Sequence, residues 1–297
     1  MLNLVKSDNN HVRNIQRAVG YFILLLFVLL TLATCESKHV IYTPKGYDIS
    51  KAQKTELGQK LDEISGIFWE NDDVMLANDD ETGKIFFINL KDKKDFSYHA
   101  LSFGKKNDYE DIVKADTAIY LLISDGEIVK VTGYHDEDSV QSTVVGSLKG
   151  GNNEFETIYY DKEINSIILL CKACHKEKDK IRTAFRYDIA TQVLSDTPYY
   201  EINIDDIKKV LKDNRVEFRP SAAAIHPIEK KLYILSSVGK LLVITDRSGN
   251  VEQAIPLSPS MFPQPEGITF ASNGDMYISN EVNTGERATL LKFKYQP

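Results

Sequence analysis

The sequence predicts an all-β protein, a five-bladed β-propeller with one inserted amphipathic helix and a ring closed by an N-terminal strand. Three observations predict it. A short motif recurs five times with a period near 45 residues, two further strand-like runs follow each copy, and residues 36–62 belong to no unit of their own. The motif copies are "SGIFW" from Ser65, "EDIVK" from Glu110, "ETIYY" from Glu156, "SAAAI" from Ser221 and "EGITF" from Glu266, spaced 45, 46, 65 and 45 residues apart.

Each copy opens with a polar residue, continues with a small or polar one, and then becomes apolar. The second runs are "VMLAN", "IYLLIS", "IILLC", "LYILSS" and "MYISNE"; the third are "KIFFINL", "GEIVKV", "RTAFRYDI", "KLLVITD" and "ATLLKFKY". Short segments rich in Val, Ile, Tyr and Phe, separated by Gly, Asp and Asn, read as antiparallel meanders. Several strands repeating at this period read as propeller blades. The last unit runs out at Pro297 after three strands, so a segment within residues 40–62 is expected to supply its outer strand and leave no long open sheet edge.

The 65-residue interval contains "NIDDIKKVLKDN", in which Ile204, Ile207 and Leu211 share one helical face while acids lie early and lysines late. It predicts a helix between blades, either a cap over one propeller face or a docking element for a partner.

The N-terminus predicts export. Lys6, Arg13 and Arg17 precede "YFILLLFVLLTLA", which has the length of a signal-peptide core and is short for a membrane span. The run ends in "LATC", and a cysteine after small and apolar residues is where bacterial lipoproteins are cut and lipidated; Thr34 departs from the Gly, Ala or Ser usual before that cysteine. The expected organisation is a lipoprotein signal peptide over 1–35, lipidation at Cys35, and a propeller domain over 36–297. The expected location is the bacterial cell envelope, lipid-anchored to a membrane at the outer membrane or periplasmic face.

The chain carries 36 Lys and Arg against 43 Asp and Glu, and its first 35 residues hold three of the bases and one of the acids. The remainder is acidic and has no basic cluster interleaved with aromatics, which argues against nucleic acid as a partner.

The motifs "EISGIFW", "YEDIV", "FETIYYD", "RPSAAAI", "QPEGITF" and "ISNEVN", in this order and spacing, resemble the SdiA-regulated, or YjiK-like, family of exported bacterial propellers, distantly similar to NHL-repeat proteins. The resemblance covers roughly residues 40–297. It implies a five-bladed propeller with a bound calcium ion, no established catalytic activity, and a binding role. The fourth motif departs from it, with "SAAA" where a Ser-Gly pair is typical.

The repeat start is where each innermost strand begins near the axis. Glu110, Glu156 and Glu266 hold this position in three blades, with Ser65 and Ser221 in the other two. Carboxylates converging there would raise one another's pKa unless a cation or hydrogen-bond donors compensate. Calcium, with six to eight oxygen ligands in flexible geometry, suits such a ring. Glu281 in "ISNEVN" and Asp79 in "LAND" follow second strands and could add oxygens. The alternative is that these acids accept hydrogen bonds from backbone amides of neighbouring blades.

The pentapeptide "CKACH", residues 171–175, follows the second run of the third unit and leads into the charged turn "KEKDK". Its spacing matches c-type haem attachment. His226 and Met261 would be the candidate second axial ligands, and neither has supporting spacing; a zinc site would need a further Cys or His pair. In an oxidising compartment a local Cys171–Cys174 disulfide is the simplest reading, with free thiols the alternative. No haem is expected.

No HExxH, GxSxG, Walker or EF-hand pattern occurs. His99, His135 and His226 stand singly and read as surface or strand residues, while Trp69 and the tyrosines of "TIYYD" read as packing. Two functions are consistent with this chain. The first is a calcium-binding propeller serving as a binding module for an envelope protein or ligand. The second is a calcium-dependent hydrolase of the lactonase, esterase or phosphatase kind, in which the metal polarises a substrate oxygen. The absence of a histidine base beside the acidic motifs favours the first.

Overall fold

A computed structural model describes residues 43–297 except 93–96, 149–151, 176, 178–179 and 283–285. The expected signal peptide over 1–35 and the expected lipidation site Cys35 lie outside the described residues. Among the described residues no helix is long and apolar enough to cross a membrane.

Strand β1 (Gln53–Glu56) is followed by β2 (Ile64–Trp69), β3 (Val74–Asp79), β4 (Lys84–Asn89) and β5 (Tyr98–Ser102), which form the first sheet in that order. The second sheet holds β6 (Tyr109–Ala115), β7 (Ala118–Ile123), β8 (Glu127–Thr132) and β9 (Gln141–Ser147). The third holds β10 (Glu154–Asp161), β11 (Ser166–Ala173) and β12 (Ile181–Asp188); its outer edge is shared by β13 (Val193–Leu194) and β14 (Tyr200–Asn203). Helix α1 (Ile204–Leu211) precedes the fourth sheet, β15 (Ala222–Ile225), β16 (Leu232–Ser236), β17 (Leu241–Thr245) and β18 (Val251–Pro256). The fifth comprises β19 (Pro265–Phe270), β20 (Met276–Asn280), β21 (Thr289–Phe293) and, outermost, β1.

These five antiparallel sheets are the blades of a β-propeller. Strands β2, β6, β10, β15 and β19 contact one another in cyclic order and so line the axis. The N-terminal strand closes the ring, with Gln53 opposite Lys292 and Glu56 opposite Thr289. Four residues within 40–62 suffice for this closure. The pairing removes the open edge that β21 would otherwise present.

The alternation of side chains explains why the second runs are apolar throughout. In β7, Ile119, Leu121 and Ile123 belong to the core shared with the first blade, while Tyr120 and Leu122 belong to the core shared with the third. A central strand covered on both faces needs apolar residues at every position. Five such cores fill the five interfaces between neighbouring blades.

Helix α1 starts at Asn203, whose side chain accepts from the Asp205 amide at 2.9 Å, and stops at Lys212 in left-handed conformation (φ 55°). It packs on β18 and buries Ile204 and Ile207 in the core between the third and fourth blades. None of its residues lines either cavity of the axis. The helix therefore seals a blade interface, and the expectation of a cap over a propeller face is corrected.

His226 is also reassigned. It is fully buried, and its Nδ1 accepts from the amides of Ile228 (3.2 Å) and Glu229 (2.9 Å). The ring proton must then sit on Nε2, which donates to the Tyr47 hydroxyl at 2.7 Å. His226 thus holds the segment before β1 against the fourth and fifth blades. Burial pushes its pKa down.

Candidate functional site

The five repeat-start residues come together. Ser65, Glu110, Glu156, Ser221 and Glu266 all line one cavity of about 500 Å³ at the end of the axis where the inner strands begin. A local backbone feature brings them there. The pairing of inner and second strands shifts register between Ile64 and Ile67, Tyr109 and Asp111, Phe155 and Thr157, and Pro265 and Gly267. Each shift is a β-bulge at the repeat-start residue, and a bulge re-aims a side chain that regular alternation would point into a blade interface.

The residue after the bulge meets the neighbouring blade at close range. A Cβ on Gly66 would come within 2.7 Å of Asn78 Oδ1 and of the Asp111 backbone. Asp111 holds the equivalent position in the second blade. Its buried carboxylate accepts from its neighbour Ile112 N (2.8 Å) and, across the blade interface, from Ile158 N (3.0 Å). Burial raises the Asp111 pKa well above the carboxylate range against the effect of these two amides.

The cavity is mixed in charge. Asp80, Glu110, Glu156, Glu266 and Glu281 line it together with Lys172, Arg219 and Lys240. Lys172, projecting from β11, pairs with Glu154 at 2.6 Å and with Glu156. Burial alone would lower its pKa, but hydrogen bonds to these two carboxylates hold it above the ordinary lysine value. Lys240 donates to the Pro263 carbonyl at 2.6 Å, and burial lowers its pKa.

The acids are held out of water at a cost to their ionised forms. Burial, then the Glu156 and Asp108 charges, push Glu110 up to about 9. Burial and Glu156 push Glu266 up to about 8. Glu156 is raised by burial too, with Lys172 pulling the other way.

The ring glutamates share the cavity without meeting at one point. Among the described residues, the carboxylates whose oxygens lie within 4.8 Å of one another are those of Glu63, Asp80 and Glu281. This trio occupies the seam between the first and last blades. Asp80 N approaches Glu63 O at 3.4 Å, and Glu281 N donates to Gln264 O at 2.9 Å, so Glu63 and Asp80 in the first blade correspond to Gln264 and Glu281 in the fifth. The seam is tied further by Val282 N donating to Asp62 O at 2.8 Å.

Burial, with Glu63 and Glu266 nearby, pushes Glu281 up to about 8, and burial with Glu63 and Glu81 pushes Asp80 up to about 6. The Gln264 side-chain amide donates to Glu281. Asp80 Oδ1 is buried and has no hydrogen-bond partner.

Asp79 does not line this cavity. Its two oxygens accept from Thr82 N (2.6 Å) and Thr82 Oγ1 (2.6 and 2.7 Å), so it shapes the turn after β3 and its successor Asp80 faces the site. Sequence reasoning missed Glu63, Asp80, Lys172 and Lys240. Asp80 had a visible signal in "ANDDE": it stands as far beyond the repeat start Ser65 as Glu281 stands beyond Glu266. Glu63 had none.

"CKACH" lies where β11 ends. Cys171 and Cys174 are joined in a disulfide with Cα atoms 6.0 Å apart. Both sulfurs that thioether bonds to haem would require are in that bond. The loop beyond is held by Glu177, which accepts from Cys174 N at 3.0 Å and faces Arg182 at 3.5 Å in a buried ion pair.

With the bulged ring and the seam acids in place, comparison with known proteins gives the family. The SdiA-regulated family matches residues 42–284. The chain belongs to that family. No curated protein matches it in sequence. Among solved structures, this SdiA-regulated propeller is similar to the glutaminyl cyclase of Myxococcus xanthus (10% identity, 82% of this chain and 94% of that one, TM-score 0.55). It is also similar to regucalcin, a calcium-binding protein of Agrobacterium tumefaciens (8% identity, 82% and 94%, TM-score 0.50), and to a glucose dehydrogenase (10% identity, 80% and 98%, TM-score 0.50). At these identities the likeness concerns the fold alone.

Proposed function

We propose that this SdiA-regulated propeller binds calcium at Glu63, Asp80 and Glu281 and serves in the bacterial envelope, anchored through lipidated Cys35, as a binding module for an envelope protein or ligand. The observation that carries the metal reading is the buried, unpartnered Oδ1 of Asp80 within a group of carboxylate oxygens no more than 4.8 Å apart. Calcium–oxygen bonds run roughly 2.3–2.6 Å, so opposite ligands of one ion stand about 5 Å apart. The donor set is all oxygen, which suits a hard cation over zinc or copper. Burial and neighbouring acids raise the pKa values of Asp80 and Glu281, and a cation bound between them would lower both. Glu110, Glu156 and Glu266 share the cavity and would act on the ion's field or through water.

Calcium at a hundred times its dissociation constant should stabilise the folded state by about 2.7 kcal/mol and raise the melting temperature by roughly 5 °C for a domain of this size. Glu281→Gln and Asp80→Asn should abolish that shift while Glu252→Gln, on the outer strand of the fourth blade, leaves it intact. No calcium-dependent shift and no calorimetric heat in the unaltered protein would remove the metal reading. Calcium-dependent turnover of lactones, esters or phosphoesters, lost in Glu281→Gln, would replace the binding module with the hydrolase. Cys35→Ser should release the protein from membranes and abolish lipid labelling; retention on membranes would remove the anchor.

A further inference from the structure

The chain enters the propeller at the end of the axis away from the seam acids. The inner strands finish there, around a second cavity of about 470 Å³ whose lining includes Trp69, Asp116, Lys162, Ile225 and Phe270. The segment before β1 is fixed at that same end. Gln296 N donates to Gly46 O at 2.8 Å, the Tyr47 hydroxyl donates to Gly274 O in the turn after β19, and His226, in the turn after β15, donates to the Tyr47 hydroxyl at 2.7 Å. Both turns join an inner strand to a second strand, so the segment lies beneath the blades and not along their outer edge. Tyr47 and Ile49 are buried in the core between the fourth and fifth blades. From here β1 runs to the polar end, where Glu56 stands opposite Thr289 and Leu57 N donates to Ala288 O at 2.8 Å.

These contacts fix where a tether attaches. Cys35 precedes Thr43, the first described residue, by eight residues. Eight residues span at most about 28 Å when fully extended. Strand β2, with six residues, is about 20 Å long, and the turns at both of its ends add to the height of the blade. With the polar end against a bilayer, the tether would have to run that whole height and lie stretched near its limit. With the opposite end against the bilayer it need not stretch. Extending a chain costs conformational entropy, which favours the second arrangement. The turns at this end carry charge: Asp72 and Asp73 after β2, Lys162 and Glu163 after β10, Lys230 and Lys231 after β15. Such a face can rest at the headgroups, and its charges keep it out of the hydrocarbon.

We infer that the end of the axis where the inner strands finish faces the bilayer that holds Cys35, and that the polar cavity with Glu63, Asp80 and Glu281 opens away from it, toward a partner. The inference rests on the anchor proposed above.

Energy transfer tests it on the full lipidated protein, added to phosphatidylcholine vesicles that carry a rhodamine-labelled headgroup. With Cys35 lipidated and Cys171 joined to Cys174, a cysteine added at the surface supplies the thiol for a donor dye. A donor at Lys162→Cys should transfer about threefold more efficiently than one at Val238→Cys, which is 54% exposed at the polar cavity, since a strand of about 20 Å separates the two ends. Asp72→Cys and Glu81→Cys, in the turns before and after β3, should repeat the contrast within the first blade, and Trp69, the chain's one tryptophan, reports the folding of each variant. Twenty Gly and Ser residues inserted between Cys35 and Thr43 should bring the efficiencies together. Equal transfer from both ends, or greater transfer from Val238→Cys, in protein that sediments with the vesicles overturns the orientation and leaves the anchor standing. A contrast that survives the inserted linker overturns the tether as its cause. Protein that stays in the supernatant overturns the anchor, and the orientation with it.

Discussion

At the starts of the inner strands, Glu110, Glu156 and Glu266 line a cavity that holds five acids and three bases; at their ends, Trp69, Phe270 and Ala224 line one that mixes apolar side chains with the Glu70–Lys114 pair, Asp116 and Lys162. The same five strands build both. What differs is the backbone. A bulge at the start of four strands releases one polar residue per blade from the in-out alternation and turns it to the axis. Beyond the bulge alternation resumes, and side chains at the axis are those of a strand packed between neighbours. The bulged end therefore gathers desolvated acids at the axis, while the other end mixes apolar side chains with a few charges.

The largest expected effect comes from the residue that links the two ends. Asp111→Ala leaves the buried amides of Ile112 and Ile158 without an acceptor, which should cost about 3 kcal/mol and lower the melting temperature by roughly 6 °C. Trp69 emission and the calcium shift should change together. A loss below about 1 kcal/mol in urea titration would show that the blades are not joined through this carboxylate.

Opening the disulfide should act on the polar end alone. Cys171→Ser with Cys174→Ser removes a four-residue closure worth about 2 kcal/mol and loosens the end of β11, which carries Lys172 to the cavity. The calcium shift should change while Trp69 emission stays as it was. The oxidised protein, produced with haem-maturation machinery, should show no Soret band; a covalent haem adduct would contradict the disulfide.

A pH titration should divide the ends by a smaller margin. Glu110, Glu266 and Glu281 have folded pKa values of about 9, 8 and 8 against an ordinary 4.5. Between these values the folded state binds protons that the unfolded chain releases, so stability falls as pH rises through that window and levels off above it. In EDTA the melting temperature should drop by a few degrees from pH 5 to pH 9. Calcium, which favours the ionised acids, should flatten the curve, and Glu110→Gln should reduce the slope. A flat curve in EDTA would show these acids to be solvated. Trp69 emission should not follow the titration.

The smallest effect is expected at the periphery. The exposed Asp206–Lys209 pair on α1, 2.8 Å long, is screened by solvent, so Lys209→Ala should leave both ends and the melting temperature nearly unchanged.

Much of this architecture was legible because it rests on local, repeated patterns. Five copies of one motif at a 45-residue period define five blades, and apolar runs such as "AIYLLI" and "SIILL" mark strands covered on both faces. The missing fourth strand of the last unit pointed to closure by the N-terminal segment, although the four residues 53–56 that perform it carry no apolar pattern, with three of them exposed. The ring of Ser65, Glu110, Glu156, Ser221 and Glu266 was legible as well, because equal positions in equal repeats arrive at equal places around an axis.

Tertiary structure decided what these residues meet. Glu63 and Asp80 reach Glu281, some 200 residues away, because ring closure sets the first blade against the last, a contact between non-equivalent chain ends that no repeat pattern contains. The choice of Asp80 over Asp79 turned on strand register, in which Asp79 pairs Ile64 as Asn280 pairs Pro265, and on a threonine three positions later that takes up the Asp79 oxygens. Lys172 reads in sequence only as one of two residues between two cysteines, and its ion pair with Glu156 arises because β10 and β11 run antiparallel with a bulge between them. Periodicity determines which residues face the axis, since it repeats the same backbone geometry in every blade; which of them desolvate, pair or stand without a partner depends on neighbours brought together only when the ring closes.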